Sequence, residues 1–290
     1  MDLSEFVSDV GPNQPVSIAG LGTRGGPVDG VHTVMAPVGV ESVQADEMTV
    51  RCGAGTPVEE LDAALAAFGQ SVAIAPSGTV GGALAVGHSG IRRLGYGPIR
   101  DTLLQAEFVN ARGEIVKAGG PTVKNVSGFD LCRLLVGSRG TLGFIGEVIL
   151  RTRPRSTYEQ WFTTTDDPFA LFPNLYRPTS VLWDGTTTWV LLEGDRRDVE
   201  RQARGNGLRV GELPPELPTG GRWSVRPAEL PGIIGSGEFV AEIGVGVVHH
   251  TLPAPSRPVD PAVVELHRRL KHEFDPDGRM NPGVDVLAAA

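Results

Sequence analysis

The feature that most constrains this chain is a run of glycines and small hydroxyl residues between positions 76 and 147. Glycines recur there at short intervals, with serine or threonine between them and few large side chains. Glycine lets the backbone approach a ligand and adopt φ > 0, but it costs conformational entropy on folding. Backbone N–H groups beside hydroxyls form concavities that bind anions such as a pyrophosphate. The run as a whole therefore predicts a phosphate-bearing ligand, although for any single glycine in it a tight turn in a domain without a ligand is the favoured interpretation.

A second glycine-rich loop lies upstream, at residues 17–26, directly after a short apolar run. It is not a Walker A loop, because no Gly-Lys-Ser/Thr sequence follows. It is also a poor dinucleotide fingerprint, because the third glycine is missing at the required spacing and Pro27 prevents an immediate helix. A nicotinamide-binding Rossmann domain is therefore not expected.

Taken in this order, the two regions resemble the FAD-binding domain of the vanillyl-alcohol oxidase/p-cresol methylhydroxylase superfamily. Within it they are similar to the E-type FAD-binding subunits of bacterial glycolate oxidases. Residues 20–24 stand where the family has R-G-G-G-S/T, with Leu21 as a departure. Four further family blocks are matched. The first is matched by residues 79–85 together with residues 90–101, and the other three by residues 124–131, 137–147 and 274–283. The resemblance covers both ends of the chain and leaves about residues 158–238 unmatched.

The resemblance implies an α+β fold, with a p-cresol methylhydroxylase-type FAD-binding domain of two small α/β subdomains and a shortened α+β cap domain. We expect the FAD-binding domain at residues 1–154, the cap or substrate domain at 155–250, and a C-terminal segment at 251–290 that returns to the FAD domain. Arg153-Pro154-Arg155 marks the first boundary, beyond which all four tryptophans occur. Because the middle region is shorter than in typical relatives, a substrate pocket could be abbreviated or completed by a partner.

The resemblance also implies which residues contact FAD. They are Gly20, Leu21, Gly22, Thr23, Arg24, Pro76, Ser77, Gly78, Thr79, Gly81, Gly82, Gly87, Ser89, Gly90, Gly137, Gly140, Thr141, Gly143, Ile145 and Asn281. Relatives that tether FAD use a histidine in the first loop, sometimes with a cysteine near the second. Residues 23–26 contain no histidine and residues 76–82 no cysteine, while His32 and Cys52 lie outside both blocks. We therefore expect non-covalent FAD.

The sequence proposes three candidates for contact with substrate, namely His88, Arg93 and His249. His88 stands where the family chain passes the flavin, and it could act as a general base or simply as a hydrogen-bonded wall residue. Arg93, like its neighbour Arg92, could anchor a substrate carboxylate or a cofactor phosphate.

Two further pairs of residues, Arg100 with Asp101 and His249 with His250, could serve a binding site or the structure. Arg100 could anchor an anion, but an internal ion pair with Asp101 is the favoured interpretation. His249 and His250 follow a predicted strand at residues 243–248, and adjacent residues of a strand face opposite sides. Only one of the two can therefore reach a site, and no metal site is expected.

Periodicity and capping signals place the motifs on helices and strands. Predicted helices are at residues 3–10, 57–68, 131–136, 195–206 and 263–274, and predicted strands at 16–19, 31–35, 47–52, 103–110, 114–117, 143–151, 156–164, 180–184 and 188–193. Thr56 is the predicted N-cap of the second helix, with Leu61, Leu65 and Phe68 on its apolar face. In the last helix, an apolar face that includes Leu266 is opposed by a charged face that includes Lys271.

Composition sets the remaining limits. The chain has 290 residues, 40% apolar and 21% charged, without an apolar run that could span a bilayer. Its N-terminus is acidic where a signal peptide would be basic, so we expect a cytoplasmic protein that reaches a membrane only through a complex. The net charge of −8 argues against a nucleic-acid surface. Two cysteines cannot ligate an iron–sulfur cluster, so any iron–sulfur acceptor must be another chain.

Three functions remain open from the sequence. The first is an FAD-dependent dehydrogenase that oxidises a 2-hydroxy acid, such as glycolate or lactate, and passes electrons to partner subunits including an iron–sulfur protein. The second is a subunit in which FAD relays electrons while another chain oxidises the substrate. The third is a structural partner that has lost FAD, which the nearly complete flavin motifs argue against. Tryptophans such as Trp183 and Trp223 would suit an interface with such partners, although core packing is the more common fate of each.

Overall fold

The computed structural model describes residues 1–121, 130–232, 237–256 and 258–287. The chain divides into two compact units. Unit 1 comprises Met1–Gly90, Pro98–Arg155 and Val259–Ala290, and unit 2 comprises Ile91–Gly97 and Ser156–Pro258. The fold is of the mixed α+β class. Within the described ranges, no helix is long and apolar enough to cross a membrane.

The α-helices, in chain order, are α1 (Ser4–Val10), α2 (Val58–Ala66), α3 (Val80–Val86), α4 (Arg93–Tyr96), α5 (Leu131–Leu135), α6 (Pro168–Leu171), α7 (Arg196–Gly205) and α8 (Pro261–Phe274). The strands are β1 (Val16–Ala19), β2 (His32–Met35), β3 (Val40–Gln44), β4 (Thr49–Gly53), β5 (Gln70–Val72), β6 (Leu103–Val109), β7 (Ile115–Gly119), β8 (Phe144–Pro154), β9 (Tyr158–Thr164), β10 (Ser180–Trp183), β11 (Thr188–Gly194), β12 (Arg209–Val210), β13 (Gly221–Ser224), β14 (Phe239–Glu242) and β15 (Val247–His250). Short 3-10 turns occur at Ile99–Asp101, Phe172–Asn174 and Pro227–Gly232.

Unit 1 contains two sheets. The larger one is antiparallel with the order β3-β4-β8-β6-β7, and β5 pairs with the far end of β8. Strand β8 pairs with neighbours on both sides and is buried over its first seven residues. In the smaller sheet β1 and β2 are parallel, and Met280 forms a parallel bridge with Val16. The C-terminal segment therefore extends the sheet whose strand β1 leads directly into the first glycine-rich loop.

Helix α2 differs from the sequence prediction at both ends. Thr56 is not its N-cap, because Pro57 takes that position and the Thr56 hydroxyl accepts from the Gly39 N–H at 2.9 Å instead. Leu61 and Leu65 are buried as predicted. Phe68 is 51% exposed, because the helix ends at Ala66 and the chain turns through Gly69 with φ +63°.

Unit 2 is built on a seven-stranded antiparallel sheet with the order β12-β9-β11-β10-β14-β15-β13. One face carries the hydrophobic core of the unit, where the Trp183 ring meets the rings of Phe169 and Phe239 edge-on, each at 5.6 Å between centroids. Trp183 is therefore buried rather than displayed for an interface. The strand predicted at residues 243–248 is wrong. Gly244 and Gly246, with φ of +80° and +82°, make a tight turn between β14 and β15.

The exposure of the side chains of helix α8 also differs from the prediction. Its apolar residues Val263, Val264 and Leu266 are 41–54% exposed, and none of its residues is fully buried. Lys271, predicted to face water, points inward and donates from Nζ to the Thr141 carbonyl at 2.8 Å. Polar contacts at the C-terminal end of α8, rather than an apolar face, hold this helix to unit 1.

Candidate functional site

A groove in unit 1 is lined mainly by glycines and other small residues, with two arginines and several aliphatic side chains. Its walls come from three glycine-rich segments and from the C-terminal segment around Asn281. We call these segment A (residues 20–26), segment B (residues 76–82) and segment C (residues 137–145). They are described in turn, because each reaches the groove for a different local reason.

Segment A follows β1 and turns sharply. Gly22 and Gly25 have φ of +72° and +109°, a region that residues with a Cβ rarely adopt. The backbone N–H groups of Gly20, Leu21 and Gly22 donate to no other part of the chain that the structure describes. Such unpaired donors in a glycine turn form the concavity that an anion occupies.

Segment B enters helix α3. Thr79 is the N-cap and its Oγ1 accepts from the Gly82 N–H at 3.1 Å. Gly78 has φ +67°, and a Cβ there would lie 2.2 Å from Thr23 Oγ1, so segments A and B touch at this glycine. The Gly81 N–H donates to the Ala54 carbonyl at 2.7 Å and is therefore not available to a phosphate. Gly81 serves close packing rather than anion binding.

Arg24 joins segments A and B. Its guanidinium donates to the Ser77 carbonyl at 2.6 Å and, more weakly, to Ser77 Oγ and the Ala75 carbonyl. Burial lowers the pKa of Arg24 from its usual value, but an arginine remains protonated in such a site. Arg24 thus fixes the relative position of the two loops and brings a positive charge to the groove.

Segment C turns against the C-terminal end of α3. The Gly137 and Arg139 N–H groups donate to the Leu84 and Ala85 carbonyls at 3.0 and 2.8 Å. Arg139 itself has φ +51°, which is unusual for a residue with a side chain. The N–H of the next residue, Gly140, donates to no described acceptor. Segment C therefore contributes to the groove an arginine and an N–H that has no acceptor among the described residues.

Asn281 closes the groove at the C-terminal segment. Its Oδ1 accepts from the Ser17 hydroxyl at 2.9 Å and from the Ile18 N–H at 3.1 Å, while its Nδ2 donates to the Arg139 carbonyl at 2.6 Å. A Cβ at Gly140 would lie 2.7 Å from this Nδ2. One buried amide thereby ties strand β1, segment C and the end of the chain together.

The residues predicted to contact FAD fall into two groups. Those that line the groove are Gly20, Leu21, Gly22, Thr23, Arg24, Thr79, Gly81, Gly82, Gly140, Gly143, Ile145 and Asn281, and those that lie outside its lining are Pro76, Ser77, Gly78, Gly87, Ser89, Gly90, Gly137 and Thr141. Two residues of the second group have identifiable structural roles. Gly87 caps α3 against Gly137, and Ser89 Oγ accepts from the Ile99 N–H at 3.0 Å. The family-like block at residues 124–131 lies outside the described residues up to position 129.

Sequence reasoning missed several residues of the groove. Arg139 is the most consequential, because it adds a second arginine to the lining of the groove. Its position between two glycines in a hydroxyl-rich turn is the signal that could have identified it. Ala54 and Gly55 were missed because they follow β4, whose approach to segment B depends on strand pairing between distant parts of the chain.

The groove has the properties that a dinucleotide pyrophosphate needs. Its described lining residues include Arg24 and Arg139 but no aspartate, glutamate or histidine. The free N–H groups of segments A and C add further donors without side-chain bulk. Two positive charges and several unpaired donors in a groove without carboxylates fit the anionic part of FAD.

The predicted substrate residues are distributed over both units. His88 follows the α3 cap in unit 1 and is half-buried, outside the groove lining. Arg93 begins α4 in unit 2, and His249 lies in β15 of unit 2 with its Nε2 2.9 Å from Glu242 Oε1. His250 is buried on the other side of the same strand, where its ring stacks on Trp223 at 4.3 Å between centroids. The alternation predicted for these two histidines is thus present.

The other arginines of this region are engaged in ion pairs. Arg92 contacts Glu159 and Glu193, and Tyr96 also donates to Glu193, so this network holds α4 to the sheet. Hydrogen bonds to Glu159 and Tyr96 outweigh burial and raise the pKa of Arg92 above its usual value.

Arg100 is exposed, and its Nε lies 4.0 Å from Asp101 Oδ1. This is the ion pair that the sequence analysis favoured for Arg100.

Comparisons with known proteins agree with the geometry. Residues 12–119 match the FAD binding domain family, and residues 236–284 match the C-terminal domain of FAD linked oxidases. The glycolate oxidase subunit GlcE of Escherichia coli is 26% identical over 97% of this chain and 94% of its own length. The D-lactate dehydrogenase of Archaeoglobus fulgidus is 39% identical over 142 residues, which span 47% of this chain and only 32% of that protein. An alkyldihydroxyacetonephosphate synthase structure covers 92% of this chain with a TM-score of 0.65 at 17% identity, which establishes a shared fold.

Proposed function

We propose, because this chain belongs to the FAD-linked oxidases of the p-cresol methylhydroxylase type, that it binds FAD non-covalently in the glycine-lined groove and works as the flavin subunit of a 2-hydroxy-acid oxidase. FAD is the cofactor of this family. The observation that carries the proposal is the groove itself, where unpaired N–H groups of segments A and C stand beside Arg24 and Arg139.

The chain's own groups account for cofactor retention in this proposal. The N–H groups of Gly20, Leu21, Gly22 and Gly140 would donate to the pyrophosphate, and the two arginines would balance its charge. Asn281 keeps segment C in place through its hydrogen bond to the Arg139 carbonyl. None of these groups has to move, since each is already held by hydrogen bonds within unit 1 or by a glycine turn.

The burial of both cysteines supports non-covalent attachment of FAD. Cys52 and Cys132 are both buried, and burial raises their pKa values to about 12 and about 11. Thiols with such pKa values are neutral near pH 7 and poor nucleophiles. Among the described groove residues there is also no histidine or cysteine that could bond to a flavin.

The substrate class is inferred from the relatives. Two similar proteins are named for glycolate and for D-lactate, which are both small 2-hydroxy acids. Oxidation of such an acid to the 2-oxo acid removes a hydride from C2 and a proton from the hydroxyl, and bound FAD supplies the acceptor for the electron pair. His88 and His249 are our candidates for the group that takes the proton, and Arg93 for the group that binds the carboxylate.

The electrons must then leave the chain. Its similarity to an oxidase subunit over 97% of its length supports a multi-subunit assembly. Because two buried cysteines cannot hold an iron–sulfur cluster, we place any such cluster on a partner chain. Contact with a membrane would likewise run through partners.

One observation favours the alternative of an electron-relay subunit. The described residues of the groove include no carboxylate or histidine that could act as a general base. A chain that only relays electrons would need no such group. In that case a partner oxidises the substrate and this FAD accepts electrons from it.

Anaerobic addition of glycolate and D-lactate to the FAD-loaded chain tests the choice. We expect the flavin absorbance near 450 nm to bleach slowly, and turnover with a dye acceptor to stay below the usual range of about 1–1000 per second until partner subunits are added. Fast turnover by the isolated chain would contradict the need for a partner. Flavin that a 2-hydroxy acid reduces only when partner subunits are present would favour the relay function.

A further inference from the structure

The side chain of Lys271 joins three parts of unit 1. Its Nζ donates to the Thr141 carbonyl of segment C at 2.8 Å and to the Met280 carbonyl of the C-terminal segment at 3.1 Å. It also pairs with the carboxylate of Asp275, whose side chain is 0% exposed. An ammonium group has three N–H donors. All three donors of Lys271 are therefore engaged within the protein.

The ion pair between Lys271 and Asp275 does not serve the helix itself. A carboxylate at the C-terminal end of a helix opposes the helix dipole, and Asp275 occupies the C-cap of α8. Asp275 instead accepts from the backbone N–H groups of Arg279 and Met280, at 3.0 and 2.8 Å. The pair therefore orders the turn through which the chain returns from α8 to the sheet of β1.

Two side chains hold the backbone on either side of Gly140. Asn281 Nδ2 donates to the Arg139 carbonyl, and Lys271 Nζ donates to the Thr141 carbonyl. The Arg139 carbonyl and the Gly140 N–H belong to one trans peptide, so they point in opposite directions. A donor that holds this carbonyl therefore fixes the direction of the Gly140 N–H, which has no acceptor among the described residues.

Lys271 also supports Asn281. The Met280 carbonyl that Lys271 binds shares a peptide with the Asn281 N–H, and this N–H donates to the Val16 carbonyl at 2.9 Å. The peptide is thus held at both of its polar ends, and the Asn281 side chain starts from a fixed position. Lys271 acts on segment C twice, once directly and once through Asn281.

Helix α8 has few other attachments. None of its residues is fully buried, and Val263, Val264 and Leu266 are 41–54% exposed. Full burial of such a side chain contributes about 1.5–3 kcal/mol, and much of this contribution is missing here. Docking of α8 therefore depends mainly on polar groups that also shape the cofactor groove.

We propose that Lys271 is a positioning residue of the cofactor groove, and that docking of α8 and binding of FAD are one coupled equilibrium. With α8 docked, Lys271 keeps segment C in the shape that directs the Gly140 N–H to a pyrophosphate. A pyrophosphate bound to this N–H in turn holds segment C in the shape that Lys271 binds, because coupling between two sites is reciprocal. This coupling rests on the proposed binding of FAD in the groove, and it holds for any substrate.

The affinity of the folded chain for FAD tests the positioning role. Lys271→Met removes the donor to Thr141 and should weaken FAD binding by about tenfold or more, as followed by flavin fluorescence during titration of the apoprotein. Lys271→Arg keeps a donor and the charge beside Asp275, so it should restore part of the affinity. Lys117→Met is the matched control, because Lys117 is 58% exposed in unit 1 and only 4.0 Å from Glu107, and it should bind FAD like the parent.

Proteolysis tests the coupling from the other side. Trypsin cleaves after Arg268 and Arg269, which are exposed on α8, once the helix leaves unit 1 and unfolds locally. Saturating FAD should slow this cleavage by about tenfold or more in the parent chain and much less in the Lys271→Met protein. Cleavage after Arg201, which is 75% exposed on α7 of unit 2, should not respond to FAD in either protein.

Two results would overturn the proposal. One is unchanged FAD affinity in the folded Lys271→Met protein, measured well below its melting temperature. The other is equal cleavage of α8 in the parent chain with and without FAD, a comparison that needs no variant. If Lys271→Met fails to fold because Asp275 loses its counter-charge, the double variant Lys271→Met/Asp275→Asn takes its place with the same expected loss of affinity.

The failure of this role is distinguishable from the failure of the proposed function. A parent chain that binds no FAD removes both. A parent chain that binds FAD tightly, beside Lys271 variants that bind it equally well, removes only the positioning role.

Discussion

The side-chain amide of Asn281 donates to the backbone carbonyl of Arg139, 142 residues earlier in the chain, at 2.6 Å. Its oxygen accepts from Ser17 and Ile18, so the amide is held from both sides. The bond connects the C-terminal segment to the turn that presents Arg139 and Gly140 to the groove. Integrity of the cofactor groove therefore depends on the last residues of the chain.

Asn281→Asp tests this connection with a minimal change in shape. The aspartate keeps the acceptor for Ser17 and Ile18 but places a carboxylate oxygen against the Arg139 carbonyl. We expect a loss of about 1–3 kcal/mol of unfolding free energy and a marked loss of FAD, because a negative charge then lies in a groove that binds an anion. Urea unfolding and the ratio of flavin to protein absorbance measure both effects. Asn174→Asp is the control, since Asn174 is exposed and also donates to a backbone carbonyl, and it should leave FAD content unchanged.

Gly140→Ala separates a steric effect from backbone strain. Gly140 has φ +72°, and a Cβ there would meet Asn281 Nδ2 at 2.7 Å. Gly207 has a similar φ of +67° but open space around the same position. Alanine at either site should cost about 1 kcal/mol of stability through strain, whereas only Gly140→Ala should lower FAD retention. Equal FAD content in the two purified variants would show that Gly140 serves only the turn.

Acid precipitation of the purified protein checks the non-covalent attachment. We expect all yellow colour to appear in the supernatant, because the groove offers no histidine or cysteine among its described residues and both cysteines are buried thiols. Colour that stays in the pellet would indicate a covalent bond. Colourless protein that cannot be reconstituted with FAD would contradict cofactor binding by this chain.

Arg279 should be among the most sensitive positions for stability. It is 3% exposed, and its guanidinium donates to the carbonyls of Gln14, Ala111, Val10 and Gly11. Arg279→Met leaves these buried carbonyls without donors and should cost more than about 3 kcal/mol. Chemical denaturation measures the loss. Arg268→Met, which removes only an exposed pair with Glu265 on α8, should change stability by less than about 1 kcal/mol.

Burial of the thiols predicts a pH dependence. Because burial raises the pKa values of Cys52 and Cys132 to about 12 and about 11, the folded chain holds these protons more tightly than the unfolded chain does. Their contribution to stability is therefore complete below pH about 9 and is lost as the pH rises from 9 towards 12. A thiol reagent at pH 8 should label neither cysteine until denaturant is added. Rapid labelling of the native protein would contradict the burial.

Several local features were predictable because they depend on neighbours in the sequence. Asp195 caps α7 and Asp260 caps α8, as short polar residues before helical patterns do. The hairpin between β6 and β7 turns at Gly113, whose φ of +75° favours glycine at this position. Thr56 was assigned wrongly by the same local rule, because its hydroxyl found a partner in Gly39, on a different part of the chain.

By itself, the sequence indicated a phosphate-bearing ligand, because glycines and hydroxyls at short spacing encode unpaired donors and tight turns locally, and its resemblance to a flavoprotein family implied that this ligand is FAD. Tertiary structure alone decided which of those glycines face the ligand and which, like Gly81, only allow two segments to pack. It also decided that Arg139 joins the groove and that Lys271 turns inward. These outcomes depend on strand register and on hydrogen bonds between residues far apart in the chain, which no local pattern specifies.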